Sequence, residues 1–163
     1  MKTLVFKGYI TAGVGRHVEL GIPGRGKLPE APADWPEKLQ PGSLNIRVDH
    51  KGYPPELTTC DPFLGIKTLD RKLFAPAFLI PQNKMQNNKL KPCAEMPDQG
   101  TAQVWRALLH TGQGSSTYAV WVLRRFGSNV GEQLELVSDV HLRKTLSLAD
   151  GMATTVELQY EET

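Results

Sequence analysis

Two cysteines in 163 residues, Cys60 and Cys93, are too few and too far apart for a structural zinc site, and there is no CxxC and no short Cys–His pairing. One disulfide between them is compatible with the sequence, but nothing requires it. Long apolar runs are missing too, and none approaches the ~20 residues that a membrane-spanning helix needs. The opening MKTLVFKGYITAG is broken by Lys7 and lacks the apolar centre of a leader, so it reads as a first strand. These absences predict a cytoplasmic protein with no membrane partner. Nor does charge of one sign accumulate. Nineteen Lys and Arg stand against seventeen Asp and Glu, without a basic stripe, and this argues against nucleic acid as a partner. The four histidines (His17, His50, His110, His141) show no HxH or HxxxH spacing. No GxSxG and no GxxxxGK[ST] occurs, which removes the commonest serine-hydrolase and P-loop readings.

What is present describes one globular domain over residues 1–163, 40% hydrophobic and 22% charged. Fifteen Gly and twelve Pro argue for a chain that turns often and against a bundle of long helices. The apolar signal comes in short runs. Residues 4–10 make a strand, with 18–20 as its hairpin partner. Residues 43–48 (SLNIRV) alternate with Leu44, Ile46 and Val48 on one face. The clearest hairpin pairs 102–110 (AQVWRALLH) with 117–126 (TYAVWVLRRF) across a Gly-rich loop. Residues 134–137 alternate with Glu135 outward, and 153–160 form a closing strand. Residues 139–146 fit one or two helical turns, with Ser138 or Asp139 as N-cap.

Two segments break this rhythm. Residues 21–42 hold five prolines and four glycines, which excludes a continuous ladder or helix across much of the stretch. A short helical turn fits only at 33–39, with Asp34 as cap, and Trp35 is placed there as a flap over a flat ligand. Residues 81–100 are polar and Pro-bounded, and read as a loop insertion. Trp105 and Trp121 read as core, and Arg124-Arg125 as a solvated strand end. About eight short strands with one or two small helices predict a compact barrel.

Three motifs bear on chemistry. Gly13-Val14-Gly15-Arg16 follows the first strand, where successive backbone amides can nest a phosphate; taken alone, an ordinary hairpin turn is the simpler account. In Pro41-Gly42-Ser43-Leu44-Asn45, Ser43 and Asn45 point to the same side. A hydroxyl and a carboxamide oxygen are hard ligands suited to Mg²⁺ already held by a triphosphate, or simply the polar face of an edge strand. Residues 139–151 combine helix-start amides with Arg143 and Lys144, either an anion site or a capped turn closing the barrel.

In this order the pieces resemble the archaeal CTP-dependent riboflavin kinase family. The counterparts are the Gly13-Val14-Gly15 turn, the Pro41-Gly42-Ser43-Leu44-Asn45 strand and the run from 134 to 137 with Leu142-Arg143 and Asp150-Gly151. The resemblance covers 5–50 and 117–160 and leaves out 55–100. It implies a mainly β fold, a six-stranded cradle-loop barrel with one or two short helices and long loops. It also implies an activity, transfer of the γ-phosphoryl of CTP to the ribityl hydroxyl of riboflavin, giving FMN. Ser43 and Asn45 would hold Mg²⁺, with Ser43 standing where the family has Thr. Gly13, Val14, Gly15 and Arg16 would cradle phosphates, and Val140, His141, Leu142, Arg143 and Lys144 would recognise the nucleotide. Gly127 and Glu132 would face the flavin, with Glu132 as the catalytic base to test. The residues leave other readings open: a barrel that binds nucleotide or flavin without turnover, a related small-molecule kinase with another acceptor, or an interaction protein using the 81–100 loop.

Overall fold

The computed structural model describes residues 1–12, 21–41, 44–86, 89–111 and 117–162. Gly13, Val14, Gly15, Arg16 and Ser43, all named above, lie outside the described residues, as does the strand expected at 18–20.

Seven strands are present among the described residues: β1 (Lys2–Thr11), β2 (Leu44–Arg47), β3 (Phe78–Ile80), β4 (Ala102–Thr111), β5 (Thr117–Arg125), β6 (Gln133–Val137) and β7 (Ala153–Tyr160). Six close into an antiparallel barrel in the order β4-β5-β6-β2-β1-β7, with β7 returning to pair with β4. One edge of β4 is shared. Residues 102–104 pair with the extra strand β3, and residues 107–111 pair with β7. Closure leaves the barrel strands without free edges, which is how a small all-antiparallel sheet avoids edge-to-edge association.

Alternation sets the interior. Leu4, Phe6 and Ile10 of β1 are buried while Val5, Lys7 and Tyr9 between them are exposed, so one face of the strand points into the barrel. Gly8 continues the inward row. A Cβ there would come within 2.1 Å of the Arg47 carbonyl, so only glycine lets β2 cross β1 this closely. The same interior takes Trp105, Ala107 and Leu109 of β4, Val120 and Val122 of β5, and Val156 and Leu158 of β7.

A second apolar core lies outside the barrel and accounts for the unbroken burial along β4 and β5. Their outward residues Val104, Trp121 and Leu123 are covered by Ile22, Leu28, Trp35 and Leu39 of the Pro-rich segment. That segment is a strap, and it contains no helix at 33–39. Asp34 does not cap a helical turn because its carboxylate accepts two bonds from Arg106, Nε and Nη2, each at 2.8 Å. Trp35 is no flap either. It is fully buried, packed edge-on against Phe78 and Trp121, with Nε1 donating to the Pro23 carbonyl at 3.0 Å. An indole that large is held where its ring is dry and its N–H is satisfied.

The Asp34–Arg106 fork gives the strap a pH dependence. Hydrogen bonding from Arg106 holds the Asp34 carboxyl below its ordinary value of 3.8, against an opposing push from burial. A depressed carboxyl contributes stability above its ordinary value and loses it as pH falls through the folded value. Both side chains are partly exposed, so the contribution is below about 1 kcal/mol. Wild type should show a higher urea midpoint than Asp34→Asn at pH 6, with the difference shrinking steadily below pH 4. A difference unchanged down to pH 2 would refute this.

Both barrel ends are closed. At one end α1 (Pro55–Cys60) and the 3-10 helix Gly65–Arg71 contribute Leu57, Ile66 and Leu69 to the interior core. At the other, α2 (Leu142–Thr145) contributes Leu142, followed by Leu148. The described residues of the segment 81–100 form a loop with one short 3-10 turn, Gln82–Lys84.

Candidate functional site

Three of the elements singled out in the sequence meet at the α2 end of the barrel. Thr11, the last residue of β1, is the register partner of Asn45 at the start of β2. Arg143 of α2 reaches the same place, and its Nη2 donates to the Thr11 carbonyl at 3.2 Å and to Asp150 Oδ1 at 2.6 Å. Residues far apart in the chain thereby frame the point where β1 leads into residues 13–16. Asp150 was not assigned a role from sequence. Its sequence signals are its place in the 139–151 motif and in the Asp150-Gly151 pair of the resemblance.

The other members of the 140–144 group divide by contact. Leu142 is a core anchor, and Val140 packs partly against the same core. His141 caps α2, with Nδ1 accepting from the Lys144 amide at 3.3 Å, so that amide is already occupied. The observed N-cap is therefore His141 and not Ser138 or Asp139. Ser138 Oγ instead accepts from the Val140 amide two residues on, which turns the chain before the helix begins.

Asn45 is half-buried and flanked across the sheet by Thr11 and Glu135. A carboxamide oxygen is a hard donor of the kind that a divalent cation of the Mg²⁺ type takes. Among the described residues no group of three His, Cys, Asp or Glu side chains is placed to hold a metal. A cation here would take most of its ligands from a phosphate chain or water.

Glu132 and Gly127 sit elsewhere. The Glu132 carbonyl accepts from Val48 N at 2.8 Å, one step beyond the Arg47–Gln133 pair. Glu132 is thus three residues, ~10 Å, along the sheet from the Asn45 level. Its carboxylate is exposed and paired with Arg47 at 2.9 Å. Gly127 turns the chain after β5 at φ +81°, where a Cβ would press within 2.8 Å of the Gln99 side chain. Nearby Tyr53 has its phenol pushed up to about 12 by burial first and by the Glu132 charge second.

The residues 124–125, expected as a solvated strand end, are buried instead. Arg124 lies on the inward row of β5 at the mouth closed by the 3-10 helix, only 5% exposed. Its Nε and Nη2 each donate to the Asp70 carboxylate at 2.9 Å, and Gln103 Nε2 adds a third bond at 2.9 Å. The same guanidinium donates to the carbonyls of Ser128 and Val130. Arg125 is buried on the outward side, with Nε on the Gly100 carbonyl at 2.8 Å. No local sequence signal could have found this network, because Asp70 and Arg124 are 54 residues apart. Cys60 and Cys93 are both exposed free thiols. No helix of the described residues is long and apolar enough to cross a membrane. Compared with known families and with curated proteins, the chain matches no family model and no curated sequence.

Proposed function

We propose that this barrel is a phosphotransferase that moves the γ-phosphoryl of CTP to the ribityl hydroxyl of riboflavin, giving FMN and CDP. The observation that carries the reading is the meeting of Asn45, Arg143 and Asp150 around Thr11 at one barrel end, since those three belong to the motifs on which the resemblance rests and Thr11 ends the strand that leads into the glycine turn. Phosphoryl transfer requires charge neutralisation and in-line positioning more than a covalent nucleophile. Asn45, with Ser43, would hold Mg²⁺, which when bound offsets phosphate charge. Arg143 orders the end of β1, and residues 13–16 beyond it would receive the phosphates. Val140, His141 and Lys144 line the approach to the nucleotide. Gly127 and Glu132 take the flavin.

The test is chromatographic product analysis with riboflavin, Mg²⁺ and either CTP or ATP. FMN should form with CTP and fall about a hundredfold or more in Asn45→Ala. FMN from ATP alone would remove the nucleotide assignment. No FMN from either nucleotide, in folded protein, would overturn the kinase reading.

One observation favours a second reading, a barrel that binds flavin or nucleotide without turnover. Glu132 is paired with Arg47 and stands ~10 Å along the sheet from Asn45, farther than a general base can reach without a shift. In that case riboflavin or CTP would bind, and Asn45→Ala would leave the affinity nearly unchanged.

A further inference from the structure

The loop from 127 to 132 is held through the carbonyls of four of its residues. Arg124 donates to the carbonyls of Ser128 and Val130. Gly131 O accepts from Ile66 N at 3.0 Å and from the Tyr53 hydroxyl at 3.3 Å. Glu132 O accepts from Val48 N. The centre of this arrangement is a buried guanidinium, itself fixed by both oxygens of Asp70. A buried ion pair is a poor way to gain stability, because apolar residues of similar volume serve as well or better. What a fork of fixed geometry does supply is orientation.

We infer that Arg124, oriented by Asp70, is a positioning residue that holds the 127–132 loop in a flavin-receiving conformation. This rests on the flavin kinase reading above, in which Gly127 and Glu132 face the flavin. Arg124 touches no reacting atom. It acts by fixing two loop carbonyls, and so the path of the chain from Gly127 to Glu132. Displacing such a loop by about 1 Å is enough to cost one to two orders of magnitude in a bound-state property.

Two variants separate positioning from folding. Arg124→Lys keeps the charge and loses the fork. The double change Asp70→Leu with Arg124→Met removes both charges, so no buried ion is left unpaired, and frees the Ser128 and Val130 carbonyls. For each, riboflavin and CTP dependence of FMN formation are measured, together with riboflavin binding by flavin fluorescence. Amide exchange is followed over residues 127–132. The expected result is a KM for riboflavin and a riboflavin Kd raised about tenfold or more, with KM for CTP within twofold. Exchange should quicken at 127–132 while β1 and β7 keep wild-type protection. Unchanged riboflavin parameters in a folded double variant overturn the inference alone. So does an equal rise in both KM values, which marks a general loosening. Wild-type protein that makes no FMN and binds no riboflavin overturns the kinase reading and this inference together. If wild type binds riboflavin without forming FMN, the kinase reading fails, and the Kd shift still decides the role of Arg124.

Discussion

Asp70→Ala should destabilise the protein by about 3–5 kcal/mol, because it strands the Arg124 guanidinium in the barrel mouth without its counter-charge. Arg124 is 5% exposed and the Asp70 side chain 24%, so water reaches the acid more easily than the base. Asp70 accepts three bonds, two from Arg124 and one from Gln103. Its removal leaves several donors unmet, and the penalty for unpaired buried donors exceeds the net worth of the bonds themselves. For a chain of this size the loss corresponds to a fall in Tm of roughly 6–20 °C. In urea the midpoint should drop with little change in slope. The double replacement Asp70→Leu with Arg124→Met should recover the share of that loss that comes from the unpaired guanidinium. A single variant within about 1 kcal/mol of wild type, or a double variant as unstable as the single, would show that the pair is not the closed network described here.

Trp35→Ala is expected to cost about 3–5 kcal/mol as well, but the loss should be confined to the strap. Trp35 packs edge-on against Trp121 at 5.1 Å and Phe78 at 4.9 Å, and its Nε1 ties the strap to itself through Pro23. The barrel interior is a separate cluster that does not include Trp35. Undocking the strap should therefore leave the six barrel strands paired. Limited trypsin digestion reads this directly, since Arg25, Lys27 and Lys38 all lie within the strap. Wild type should resist cleavage there. The variant should be cut at these positions before any strand is attacked, and the remaining barrel should keep its far-UV signature. Equal cleavage rates in the two proteins would mean that the indole does not anchor the strap. Simultaneous loss of strap and barrel would mean that the two cores unfold as one.

Alternation made the barrel strands legible. In β1, β6 and β7 one face meets the interior and the other meets solvent or polar groups, so period two is visible in the residues themselves. The β4–β5 hairpin was legible for a different reason, its density of Val, Trp and Leu on either side of a glycine-rich loop. The reading at 43–48 came within two residues of β2, and that at 153–160 matched β7. β3 has no such pattern of its own. Its three residues are strand only because β4 offers the edge that β7 leaves free. Asn45 and Arg143 were singled out from sequence, but not their meeting around Thr11.

Local residue pattern alone specifies a chain of short strands with proline-guarded loops, and hence a mainly β fold. It does so because local pattern and backbone restriction act within a few residues of each other. Tertiary structure decided whether Arg124 would be solvated or buried, whether Trp35 would cover a ligand or fill a core, and how far Glu132 stands from Asn45. Each depends on which surfaces the closing barrel brings together. A guanidinium is buried when a carboxylate 54 residues away completes it, and an indole is buried when two other rings form its walls. Contacts of that range leave no periodic trace in the sequence, because their free energy exists only once the chain has closed.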